Sequence, residues 1–143
     1  MNIAIDAVST NIGGGLDYIL NLINNSNPKK HNFNKIILFT NKEIKHLIPK
    51  KKFIKIITVE KDSFFWILKK TTLINHFILK KKIDLLYVPS AINFVKKTNI
   101  VVMNQTLLPF RFDQIIRYFP NFFFFKLLLI RYLQLSSFRN SNG

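Results

Sequence analysis

Residues 2–23 read NIAIDAVSTNIGGGLDYILNLI, and three kinds of segment follow one another within them. Residues 2–8 are short, apolar and bounded by turn formers, the pattern of a strand buried on both faces. Residues 9–15, with Gly13, Gly14 and Gly15 at their end, read as a loop. Leu16, Ile19, Leu20 and Ile23 then recur at i, i+3, i+4 and i+7, one face of a helix. A buried strand, a glycine loop and an amphipathic helix make one βα unit. The same alternation continues down the chain. KIILFT (35–40), residues 53–59, IDLLYV (83–88) and NIVVMN (99–104) read as further strands. Asn41 caps a short helix that runs through Leu47 and is stopped by Pro49. Asp62 or Ser63 caps the next helix, whose buried side is marked by Phe64, Ile67, Leu68, Thr71, Ile74 and Ile78. Asp113 opens a last helical stretch, which Pro120 splits, so the final helix runs over about 121–138. Strands alternating with helices predict an α/β domain, with a Rossmann-like, mainly parallel sheet and helices on both faces.

Composition narrows the chemistry. The chain has 143 residues, with 22 Lys+Arg against 7 Asp+Glu, a formal charge of +15, and no cysteine. Hydrophobic residues make up 48% of the chain, enough to bury a core, which argues against a disordered chain. The absence of cysteine excludes a disulfide framework, a thiolate metal site and a cysteine nucleophile. His31, His46 and His76 lack ligand spacing, so no metal is expected, and no Ser-His-Asp or paired-carboxylate arrangement stands out. The opening residues lack a basic region followed by an apolar run. Lys126 and Arg131 break the most apolar stretch, residues 119–135, where a spanning helix needs about 20 apolar residues.

The groups able to do chemistry collect where strands end. In open α/β sheets, ligands bind at the carboxyl ends of strands, and the Gly13–Gly15 loop lies there. Glycines admit close backbone approach, and a helix N-terminus favours phosphate. Neither a Walker loop nor a G-x-G-x-x-G fingerprint is present, so a plain tight turn remains the other reading. Asp6, near the end of the first strand, is a ligand-binding carboxylate or a cap for the loop. Asp17 sits in the first helical turn, where an acid favours the dipole, and is assigned no chemistry. Asn104, Gln105 and Thr106 follow the fifth strand. Amides suit sugar hydroxyls, and they suit loop capping equally well. Lysine clusters at 29–30, 50–52, 69–70, 80–82 and 96–97 read as solvated element ends or as contacts to an anionic surface. The aromatics (Phe64, Phe65, Trp66, Phe119, Phe122 to Phe125) are grouped in apolar segments rather than interleaved with basic residues. That grouping favours a membrane surface over nucleic acid, with core packing the plainer alternative.

The ordered pieces resemble the amino-terminal half of GT-B glycosyltransferases of glycosyltransferase family 4. IAIDAVSTNIGGGLDYILNLI resembles the first βα unit of that family. DLLYVPSAINF and NIVVMNQTLLPF resemble its fourth and fifth strands, and LLLIRYLQLSSFRNSNG resembles the long helix before its next strand. The resemblance spans nearly the whole chain, residues 1–143, as the acceptor-side domain, and implies that the carboxyl-terminal donor-binding domain lies outside it. It also implies retaining transfer of a sugar from a nucleotide-diphosphate donor to a glycan or lipid-linked acceptor, without metal or other cofactor. Leaving-group charge is then met by helix dipoles and basic groups. Gly13, Gly14 and Gly15 would line the cleft near the donor phosphates. Gln105, four before Pro109, stands where many members carry a sugar-contacting His, with Asn104 and Thr106 beside it. A chain of this kind would be cytoplasmic and peripheral on the inner membrane face, and inactive without the second domain. The competing class is a non-catalytic basic α/β module that binds an anionic membrane surface or nucleic acid.

Overall fold

The structure, a computed structural model, describes residues 1–60, 66–90, 92–95, 98–104 and 107–141. Five strands, β1 (Asn2–Ala7), β2 (Lys35–Thr40), β3 (Ile54–Thr58), β4 (Leu85–Val88) and β5 (Asn99–Val102), form one sheet in the order β3-β2-β1-β4-β5. Every pairing is parallel; β1 runs beside β2 from Asn2↔Lys35 to Ala7↔Thr40. Five parallel strands send all their carboxyl ends to one rim, so the loops that follow β1, β4 and β5 meet there. The α/β, Rossmann-like expectation holds, and β2 matches the predicted residues end for end.

Period-two alternation divides the core. Ala4, Ile37, Phe39, Leu86 and Ile100 point to one face, where helix α3 (Trp66–Lys81) packs Ile74 and Ile78, and helix α5 (Phe122–Arg139) adds Phe138. Ile5, Ile36 and Leu38 point to the other face, under Ile19 and Ile23 of helix α1 (Gly14–Asn25). Helices therefore cover both faces. At the end of α1, Lys51 donates to the carbonyls of Ile23 and Asn24 at 2.8 and 2.9 Å, a cation at the negative pole of the dipole.

Three differences from the sequence reading are informative. Helix α2 (Lys42–Lys45) is shorter than predicted, although Asn41 does cap it through the Ile44 N–H. The buried side of α3 is shifted: Leu68 is 63% exposed, while Lys70 is buried. The charged residue takes the inner position because Asp6, on the same face of β1 as Ala4 and Val8, supplies its counter-ion. The proposed caps Asp62 and Ser63, with Phe64 and Phe65, lie outside the described residues.

The third difference is in α5. Its inner side buries Leu127, Gln134 and Ser137, and Ser137 is pinned to the 92–95 loop by the Asn93 N–H at 2.8 Å. Its outer side presents Phe122 (80% exposed), Phe125, Leu129 and Tyr132 (70% exposed) at i, i+3, i+7 and i+10. Ile116 and Phe119, which follow the short helix α4 (Phe112–Ile115), extend this exposed apolar surface just before α5. The helix is thus apolar on its outer side as well as its inner one, and core packing does not account for Phe119, Phe122 or Phe125. No acidic residue occurs after Asp113, whereas Arg117, Lys126, Arg131 and Arg139 do. No helix among the described residues is long and apolar enough to cross a membrane.

Candidate functional site

The rim site begins with the loop after β1. Thr10 N–H returns to the Ala7 carbonyl at 3.1 Å, making a tight first turn. The buried Asn41 amide then donates to the carbonyls of Val8 and Thr10 at 3.0 and 2.8 Å. One asparagine therefore both caps α2 and clamps the β1–α1 loop. Gly13 has φ +125°, a conformation that L side chains rarely adopt, and its carbonyl accepts from the Leu16 and Asp17 N–H groups at 2.9 and 3.1 Å. Gly14 and Gly15 are not loop residues, as the sequence suggested, but the first two residues of α1, with Gly13 as N-cap. The N-cap, Gly13, has no side chain with which to cap this N-terminus, and Asp17 lies in its first turn.

Above it lies a cavity of about 290 Å³, walled by residues 9–15, by Pro89 and Ser90 after β4, by Asn104 after β5, and by Gln134 of α5. The parallel sheet thus brings Gly13, Gly14, Gly15 and Asn104 together, as expected of residues at strand carboxyl ends. Gln105 and Thr106 lie outside the described residues. A Cβ added to Gly13 or Gly14 would meet nothing within 4 Å, so the space above them belongs to the cavity rather than to packed protein. The described wall carries no ionisable side chain. Ser90 Oγ and Gln134 Oε1 are buried without a hydrogen-bond partner.

Asp6 does not line this cavity. Its Oδ2 accepts from Lys70 Nζ at 2.7 Å, with both side chains at most 5% exposed, and its Oδ1 accepts from the Val8 N–H at 3.3 Å. The Lys70 ammonium also lies 5.6 Å from the Trp66 ring centroid. Of the two readings of Asp6, the carboxylate is engaged inside the protein, as an anchor for the turn after β1. Sequence reasoning missed Lys70, which looked like one more solvated lysine, and Gln134, a single amide in an apolar run. The signal for Gln134 was its spacing of seven from the buried Leu127.

A second, larger cavity of about 610 Å³ opens over the other face of the sheet, between α1 and the exposed flank of β4 and β5. Its wall is mostly apolar, with Ile3, Leu22, Phe33, Leu85 and Val101. The Tyr87 hydroxyl lies 2.9 Å from that of Tyr18 and 2.8 Å from Met103 Sδ. Burial, and then the Tyr18 hydrogen bond, push the Tyr87 phenol well above the ordinary range. Among the described residues, no group of three or more His, Asp or Glu side chains is placed to hold a metal ion.

Comparison of the chain with protein-family models, with curated proteins and with solved structures finds no match.

Proposed function

We propose that this chain is the amino-terminal, acceptor-side portion of a retaining glycosyltransferase that acts at the cytoplasmic face of a membrane. The observation that carries this reading is the convergence of the glycine-led α1 N-terminus, Asn104 and the residue pair after β4 on one cavity at the carboxyl rim. Such a rim is where open α/β sheets hold ligands. A helix N-terminus led by glycines suits a phosphate, and amides and hydroxyls suit sugar hydroxyls. The donor is a nucleotide-diphosphate sugar and the acceptor a glycan or lipid-linked glycan. A separate donor-binding domain would supply the opposing wall and most of the diphosphate contacts. Neither metal nor another cofactor is required by this chemistry.

The outer stripe of α5 supports the membrane location. Phe122, Phe125, Leu129 and Tyr132 face outward, flanked by Lys126 and by Arg117, in a region whose nearest acid, Asp113, is already paired with Arg111. Aromatic insertion combined with basic residues is how interfacial helices hold anionic bilayers, with about 1 kcal/mol from each Lys or Arg near the surface. The same net charge of +15 is what a nucleic-acid module would carry, the alternative reading.

Amide-shift mapping on the purified chain separates the two. With nucleotide sugars and oligosaccharide acceptors, the transferase reading expects shifts confined to residues 9–15, 90, 104 and 134. Shifts absent with sugars but strong at the lysine clusters with short RNA or DNA, and lost with salt, would reverse the assignment.

A further inference from the structure

The rim cavity contains more unmet hydrogen-bonding capacity than folding requires. Gln134 is 3% exposed, and its Oε1 has no partner. Leaving a buried acceptor unsatisfied is costly, and a leucine at this position of α5 would avoid that cost. A buried oxygen of this kind is explained most simply by a donor that arrives from outside. Ser90 Oγ lies in the same wall in the same condition. The same wall holds the N-terminus of α1, a helix of 12 residues whose N-cap, Gly13, has no side chain to cap it. Its first-turn N–H groups and dipole favour an anion. The described wall has no acid to repel one: Asp6 is neutralised by Lys70 at 2.7 Å, and Asp17 is not part of the wall.

We infer that this cavity binds a phosphate-bearing sugar, with the phosphate at the α1 N-terminus and a ligand hydroxyl donating to Gln134 Oε1. The inference rests on reading the cavity as a sugar site, and adds the ligand class and the residue that selects it. A volume of about 290 Å³ is at the small end of ligand pockets, suited to one phosphorylated monosaccharide unit and too small for a lipid tail. Gln134 acts as acceptor, so it selects hydroxyl-bearing ligands over bare phosphate. Ser90, whose hydroxyl can donate or accept, adds a second contact.

The test is calorimetric titration of the full chain with α-D-glucose 1-phosphate, glucose, inorganic phosphate and UDP-glucose. Glucose 1-phosphate is expected to bind at least about tenfold more tightly than glucose or phosphate alone, since one hydrogen bond is worth roughly that factor. Comparison with UDP-glucose tells whether the phosphosugar is free or nucleotide-linked. Gln134→Leu is expected to weaken glucose 1-phosphate about tenfold, to leave phosphate binding unchanged, and to keep or raise the thermal midpoint. Should Gln134→Leu fail to fold, Ser90→Ala is read in its place, with a smaller loss in the same direction. Equal affinity for glucose 1-phosphate and phosphate, or unchanged affinity in the folded variant, overturns the inference. If glucose 1-phosphate binds as expected while no glycan acceptor shifts the rim residues, the ligand class stands and the transferase reading falls. If glycans shift the rim and Gln134→Leu changes nothing, the reverse holds.

Discussion

Replacing Lys70 by methionine should be among the most damaging single changes to this fold. Met keeps the length of the side chain and its apolar stem, and removes only the ammonium. In the native protein that ammonium lies 2.7 Å from Asp6 Oδ2, and the two side chains are 5% and 1% exposed. Without it, Asp6 keeps a single hydrogen bond, from Val8 N–H, for a buried negative charge. Breaking a buried pair from one side costs about 3–5 kcal/mol, because the remaining ion loses its partner without regaining water. The contact with Trp66 contributes about 0.5–2 kcal/mol within that loss. At about 2–4 °C per kcal/mol for a chain of this size, the midpoint should fall by about 6–20 °C. Asp6→Asn combined with Lys70→Met removes both charges, while the Asn oxygen can still accept from Val8. The double variant should therefore recover to within about 2 kcal/mol of the native protein. Urea unfolding of the native chain, Lys70→Met and the double variant measures this directly. A Lys70→Met loss below about 1 kcal/mol, or a double variant no more stable than the single, would refute the buried-pair argument.

Gly14→Ala should stabilise the protein by about 0.4–1 kcal/mol in thermal unfolding, since Gly14 is helical and nothing crowds its Cβ position, yet it should weaken sugar-phosphate binding by filling the cavity. Replacing Phe122, Phe125 and Leu129 together by serine should reduce co-sedimentation with phosphatidylserine vesicles by more than about 100-fold, each lost side chain removing roughly 1.5–3 kcal/mol of insertion, with little change in folding stability because all three are already exposed. Hydrogen bonds from Arg111 and then Gln114 hold the Asp113 carboxyl down at about 2, against an ordinary 3.8. Its folded value is the depressed one, so the contribution is present above about pH 4 and fades as pH falls toward 2; carboxyl NMR titration should show that midpoint, and Arg111→Ala should return it toward 3.8.

The parts of the fold governed by local pattern were readable in advance. Near-continuous apolar runs such as KIILFT mark strands covered on both faces, and Asn41 announces its helix as a cap. Gly13 was legible as a turn residue because glycine tolerates its positive φ. What escaped was whatever depends on pairing across the chain. Lys70 and Asp6 are 64 positions apart, and nothing in the lysine's neighbourhood says that a carboxylate waits beneath it. Reading α3 by apolar residues alone therefore turned its buried side toward Leu68. Gln134 enters the rim only because the fold brings α5 to one cavity wall with Pro89, Ser90 and Asn104. The exposed apolar side of α5 was hidden for a different reason: its apolar residues occupy both sides of the helix, and periodicity cannot say which side meets the sheet. Within the site, Gly13, Gly14, Gly15 and Asn104 were legible because a parallel sheet sends every strand's carboxyl end to the same rim.

The central claim is that this rim cavity is where the ligand sits. Photocrosslinking with a diazirine-bearing UDP-sugar, followed by peptide mapping, tests it most directly. The account predicts crosslinks within residues 9–15, 89–90 and 134, competed away by unlabelled nucleotide sugar and reduced in Gly14→Ala. Crosslinks that fall instead in the apolar cavity beside Tyr18 and Tyr87, or on the lysine clusters without competition, would contradict it.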